Sequence, residues 1–78
     1  MPKIENWSKL KLRPKANGLG FCLIGNTYGD ERYNPETGEF ADGHEICTSR
    51  IIEINEEEGW ARTRNTLYEL GRKYGESI

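Results

Sequence analysis

Histidine is nearly missing from this 78-residue chain: His44 stands alone, and cysteine occurs only at Cys22 and Cys47. A zinc centre gathers several His or Cys ligands at short spacing, so this supply argues against one. Neither cysteine belongs to a C-x-x-C pair. The longest apolar run, "FCLI" at 21–24, is too short for a signal peptide or a membrane span. The expectation is a cytoplasmic protein with two buried, reduced thiols and no membrane contact. A disulfide would require neighbouring cysteine-bearing strands and an oxidising compartment. Positive charge is also in short supply: the net charge is −2, which argues against a general duplex-DNA binder.

Hydrophobic residues make up only 35% of the chain and charged residues 31%, yet two Trp, four Tyr and two Phe supply large core pieces. That aromatic content argues against global disorder. The chain reads as a single domain over 1–78, with 1–15 as a basic arm and 72–78 as a loose tail. A domain this short buries only about 60% of its unfolded surface, and oligomerisation is a common remedy; a homo-oligomer is therefore expected. Charge is segregated. In residues 1–15, Lys3, Lys9, Lys11, Arg13 and Lys15 face only Glu5, whereas ten acidic side chains in 30–58 face only Arg32 and Arg50.

Turn residues divide the chain into short strands, with no internal repeat. "WSKLKL" (7–12) alternates leucine with lysine and reads as an edge strand blunted by charge. "PKANGLG" (14–20) is a turn around Asn17-Gly18. "FCLIGNTY" (21–28) is the most apolar segment and reads as the central strand, with Gly25 marking a bulge or a close backbone approach. "YNPETGEF" (33–40) has the form of a tight hairpin, with Tyr33 and Phe40 paired across its arms. Asp42-Gly43 makes a second turn. "EICTSRIIEI" (45–54) is a strand whose Ile51-Ile52 doublet requires two partly buried faces or a bulge. "NEEEG" (55–59) is a loop, and "WARTRNTLYEL" (60–70) a final strand with Trp60, Arg62, Arg64, Thr66, Tyr68 and Leu70 on one face. A short helix over 65–71 is the competing reading. The expected fold is all-β: a small five-stranded antiparallel barrel of SH3-like type, or a bent sheet that dimerises through an edge.

The acidic cluster around His44 fails the obvious chemical tests. An EF-hand loop begun at Asp30 would place Pro35 where glycine is needed and Ala41 where glutamate is needed. "GLGFCL" and "GFCLIGNT" are near misses to phosphate-binding loops, the first lacking a glycine and the second a lysine. Nothing in the spacing joins His44 to a cysteine or a carboxylate dyad, so no enzyme, metal or cofactor is expected. The arginines are the better prospect. Their rigid forks grip phosphates. A barrel that gathered Arg32, Arg50, Arg62 and Arg64 with Thr48, Ser49 and Asn65, and with Tyr28 or Tyr68 to stack on a base, would cradle an anion. The alternative is that these arginines pair with the abundant glutamates.

"GNTYGDERY", "DGHEICTSRIIEI" and "TRNTLYELG" together resemble a group of small proteins of phages and mobile elements. The resemblance spans about Gly25 to Gly71; "NPETGE" is longer than the pattern expects. It implies an antagonist of host defence acting by binding in the host cytoplasm. One implied ligand is a phosphorylated nucleotide second messenger, sequestered in the arginine–aromatic pocket. The other is a host defence protein, to which the acidic 30–58 surface would bind or mimic nucleic acid.

Overall fold

The computed structural model describes residues 1–13 and 18–75. Most of the turn expected over 14–20, and the last three residues of the expected tail, lie outside them. The described chain is all-β: β1 (Lys3–Lys11), β2 (Phe21–Tyr28), β3 (Glu45–Cys47), β4 (Glu53–Asn55), β5 (Trp60–Arg62) and β6 (Leu67–Leu70). They form one sheet in the order β3-β2-β1-β6-β5-β4. Three expectations are corrected here. There are six strands rather than five, the β1–β6 pairing is parallel in an otherwise antiparallel sheet, and of the two expected forms the sheet is the open one, not a closed barrel.

The first strand begins earlier than expected, and its first half is central in the sheet. Lys3 and Ile4 of the expected basic arm lie between β2 and β6, and Trp7 bridges to Lys73, whereas Ser8–Lys11 pair with β2 alone and keep the edge character expected of them. Only Ser8–Lys11 follows the polar reading, since Ile4 and Trp7 are core residues. Their spacing of three breaks strand alternation, and the cause is local. Asn6 takes a left-handed φ of 53° and the β1–β2 register shifts between Glu5 and Ser8, so two residues oppose Gly25. Asparagine tolerates that conformation better than most residues, and an extra residue there rotates Trp7 back toward the core. Gly25 is the other half of this device. A Cβ on it would sit 2.7 Å from the Glu5 carbonyl oxygen and 2.9 Å from Ile4 Cγ1. The close approach expected at Gly25 is therefore present.

The chain after β6 continues alongside β1. Trp7 Nε1 donates to the Gly71 carbonyl (3.0 Å), the Arg72 amide donates to Glu5 Oε1 (2.8 Å) and the Tyr74 amide to the Trp7 carbonyl (2.8 Å). Residues 72–75 of the expected tail are thus docked on the sheet.

The single strand expected over 45–54 breaks into β3 and β4, with 48–52 between them. Leu23 N–H, which would bond to a backbone carbonyl in a continuous ladder, bonds instead to Thr48 Oγ1 (2.9 Å). The connector joins the two edge strands and bonds to their neighbours β2 and β5. The Ile51 amide donates to the Phe21 carbonyl (3.0 Å) and the Ile52 amide to the Arg62 carbonyl (2.8 Å). The sheet is therefore strongly curled, and Ile51 points fully into the core while Ile52 is half-buried. That break explains the isoleucine doublet.

The expected strand 60–70 is a hairpin instead. Thr63 organises its turn: Oγ1 accepts from the Thr66 amide (3.1 Å), and the Thr63 amide donates to the Thr66 carbonyl (2.8 Å). Ala61 opposes Tyr68 on the buried face and Arg62 opposes Leu67 on the other. Tyr68 and Arg62 accordingly lie on opposite faces, contrary to the one-face reading. Ile4, Trp7, Leu23, Ile46, Ile51, Ala61 and Tyr68 make up the core, with Phe21, Phe40, Ile54 and Leu70 at its margin.

Candidate functional site

The arginine cradle is not assembled. Arg50 spends its guanidinium on backbone, donating to the carbonyls of Leu19 (2.8 Å) and Arg13 (2.7 Å). Thr48 is buried, and its hydroxyl donates to the Ser49 carbonyl (2.8 Å) while holding Leu23. Ser49 is exposed. These three hold the 48–52 connector in place. Arg62 pairs across strands with Glu53 (3.2 Å) on the exposed face, and Arg64 and Asn65 are exposed in the β5–β6 turn. The expected pairing of arginines with glutamates thus holds for Arg62.

Elsewhere, Arg32 bonds Tyr68, and Arg32 and Asn65 line one shallow depression. Arg32 grips Asp30 bidentately (Nε to Oδ1 2.9 Å, Nη2 to Oδ2 2.7 Å), bonds Tyr68 Oη (3.2 Å) and lies 4.3 Å from the centre of the Phe40 ring. Hydrogen bonding from this guanidinium holds the Asp30 carboxyl below the usual carboxylate range, against the upward push of burial. The same bond to Asp30 raises the Arg32 pKa. The Asp30 side chain is 2% exposed, so the pair is a structural rivet joining the loop after β2 to the core.

That loop, 29–44, is the largest excursion from the sheet, and its ends meet. The Thr27 amide donates to the His44 carbonyl (2.9 Å), the Gly43 amide to the Thr27 carbonyl (2.7 Å), and the Gly29 amide to Asp42 Oδ1 (2.8 Å). Inside it, Asn34 Oδ1 accepts from the Glu36 amide (3.0 Å) and the Asn34 amide donates to the Glu39 carbonyl (3.0 Å). Gly38 takes the left-handed φ expected of it, +77°. Tyr33 and Phe40 are not paired as hairpin arms. Phe40, at φ 60°, turns toward the core and beneath Arg32, while Tyr33 is 51% exposed. A compact loop with closed ends and internal packing is a common carrier of function.

Its surface is acidic. Glu31, Glu36, Glu39, Asp42 and neighbouring Glu45 are all exposed, and the charge of the one arginine is taken up by buried Asp30. A concave notch of about 400 Å³ opens in the loop, lined by Gly29, Asp30, Tyr33, Ala41 and Asp42. Tyr28, 40% exposed, reaches the same end of the sheet, with its hydroxyl near Gly43. His44 is an exposed turn residue. No group of three potential metal ligands occurs among the described residues.

Sequence reasoning missed Asp30 as the anchor, Phe40 as the platform for Arg32, and the notch itself. The D-x-R spacing at 30–32 was the available signal, because a carboxylate two residues before an arginine can fold back onto it. No family model matches the chain, nor does any curated protein or solved structure.

Proposed function

We propose that this domain is a non-catalytic binding module whose ordered acidic loop, 29–44, docks on a basic protein. The observation that carries this reading is the notch lined by Tyr33, Asp30 and Asp42, held open on a loop that is tied at both ends. An inserted lysine or arginine would meet the Tyr33 ring, a face that attracts cations, and the outward oxygen of Asp42. The exposed glutamates around it raise the encounter rate with a basic surface and reject acidic ones. A rigid loop loses little entropy on binding. The resemblance to phage proteins supplies a context, an antagonist of a basic host defence protein. Sequestration of a phosphorylated nucleotide draws no support from the positions of the arginines.

The test uses a fluorescent arginine-rich peptide as probe, titrated at low and moderate salt. Binding should fall at least tenfold in Tyr33→Ala and in Asp42→Asn, and remain within twofold in the Glu57→Gln/Glu58→Gln variant, which removes equal or greater charge away from the notch. Equal losses in all three would reduce the interaction to bulk electrostatics and overturn the notch. A thermal shift with cyclic dinucleotides or ADP-ribose derivatives, and none with the peptide, would restore the nucleotide reading.

A further inference from the structure

We infer that Cys22 and Cys47 form a reactive dithiol, a site of reversible disulfide formation that takes a low-molecular-weight disulfide as its oxidant. The two residues lie on adjacent antiparallel strands, with Ile24 and Cys47 directly opposed in the β2–β3 register. Their sulfurs are 3.3 Å apart. A disulfide bond is about 2.05 Å long, so the sulfurs must close by only about 1.3 Å. β3 can give that much, being a three-residue strand paired on one side only.

Access to the two sulfurs is unequal. Cys22 is buried, whereas Cys47 is exposed on the sheet edge. Burial, reinforced by the Cys47 contact, pushes the Cys22 thiol up to about 11. Cys22 therefore stays protonated in the reduced protein, and Cys47 is the sulfur that meets an incoming reagent. The Cys47 thiolate attacks one sulfur of the small disulfide and expels the other as a thiolate, which takes a proton from solvent. Cys22 then loses its proton to solvent base and attacks Cys47 Sγ in the mixed disulfide, expelling the second small thiolate. The protein gives up two hydrogens and the small disulfide becomes two thiols. The new covalent ring runs from residue 22 to residue 47 and contains the whole 29–44 loop.

The test is incubation of the reduced full-length chain with oxidised glutathione, followed by alkylation with iodoacetamide and mass analysis. The expected product is a monomer lighter by two hydrogens, free of glutathione and of alkyl groups, with one peptide linkage joining Cys22 to Cys47. Dithiothreitol should restore two alkylatable thiols. Cys22→Ser should accumulate glutathione on Cys47, because the resolving sulfur is gone. Retention of glutathione on Cys47 in the wild type, dimers linked Cys47 to Cys47, or two cysteines that stay alkylatable would each overturn the inference. If Cys22→Ser does not fold, the wild-type linkage map decides alone.

Discussion

Replacing Arg32 by alanine tests the central rivet of the loop. The substitution deletes two charge-assisted bonds to Asp30 and one bond to Tyr68 Oη, and uncovers Phe40. Asp30 keeps the Arg32 backbone amide (2.9 Å) and the nearby Thr27 hydroxyl while its side chain remains almost fully enclosed. Stranding a fully buried charge costs about 3–5 kcal/mol. The Arg32 side chain is 46% exposed, so water can enter behind it and rehydrate the carboxylate in part. The expected cost is therefore about 2–3 kcal/mol, a large share of the roughly 4–12 kcal/mol available to a domain of this length. The melting temperature should fall by roughly 10–20 °C. Urea unfolding followed by tryptophan fluorescence measures the loss.

The sign with pH follows from Asp30. Its folded pKa is depressed, so its stabilising contribution is fully present above the unfolded value of about 3.9 and is lost as pH falls through the folded value. In Arg32→Ala the stranded carboxyl rises instead. The gap between variant and wild type should be widest at neutral pH. It should begin to shrink above the unfolded value of about 3.9 as the variant's raised carboxyl takes up a proton, and go on shrinking at lower pH as the wild-type Asp30 follows. The double variant Asp30→Asn/Arg32→Ala should be more stable than Arg32→Ala alone, because the unpaired charge is gone. A single-variant cost below about 0.5 kcal/mol, or a double variant worse than the single, would refute the reasoning.

Gly25→Ala should cost at least about 2 kcal/mol in the same urea assay, since its Cβ meets backbone that cannot move without undoing the β1 bulge; a loss under 0.5 kcal/mol, roughly the level of a surface change, would mean the bulge yields. Thr27 is fully buried; its hydroxyl makes no bond of good geometry, but it faces the Asp30 carboxyl and helps hold it ionised. Thr27→Val keeps the shape and removes a hydroxyl that favours the ionised Asp30 carboxyl, so calorimetry should show a loss of about 0.5–1.5 kcal/mol at neutral pH, and unchanged or higher stability would mean that the hydroxyl contributes nothing. Thr63→Ala strips the side chain that organises the β5–β6 turn and should cost about 1–2 kcal/mol, by analogy with a lost helix cap, with faster amide exchange at Asn65 and Thr66. Glu56 binds Lys9 (2.9 Å) and lies 3.8 Å from Lys73 at the surface, so Glu56→Gln should cost less than about 1 kcal/mol, and the cost should vanish in high salt.

Much of the fold was legible locally. Val-poor but Ile-, Thr- and Tyr-rich segments set between Gly, Asn and Asp turns specify strands, and the sequence alone fixes an all-β chain. It also determines the turn at Asn55–Gly59, the left-handed glycine at 38 and the tight backbone approach at Gly25, because each follows from the conformational limits of one or two residues. Non-local choices were not legible. That the first half of β1 is central and parallel to β6 depends on the last strand returning to the first, across nearly the whole chain. That 45–54 breaks in two depends on Thr48 replacing a carbonyl for Leu23, and only the curl of the sheet demands it. The site follows the same division. An acidic, turn-rich loop could be read from composition, but the destination of each arginine could not. A guanidinium on a long stem takes whichever acceptor the fold brings near: Asp30 for Arg32, two carbonyls for Arg50, Glu53 for Arg62. Packing also decided that two cysteines twenty-five positions apart would lie 3.3 Å from each other, because strand register, which no local rule sets, put them on one face of one sheet edge.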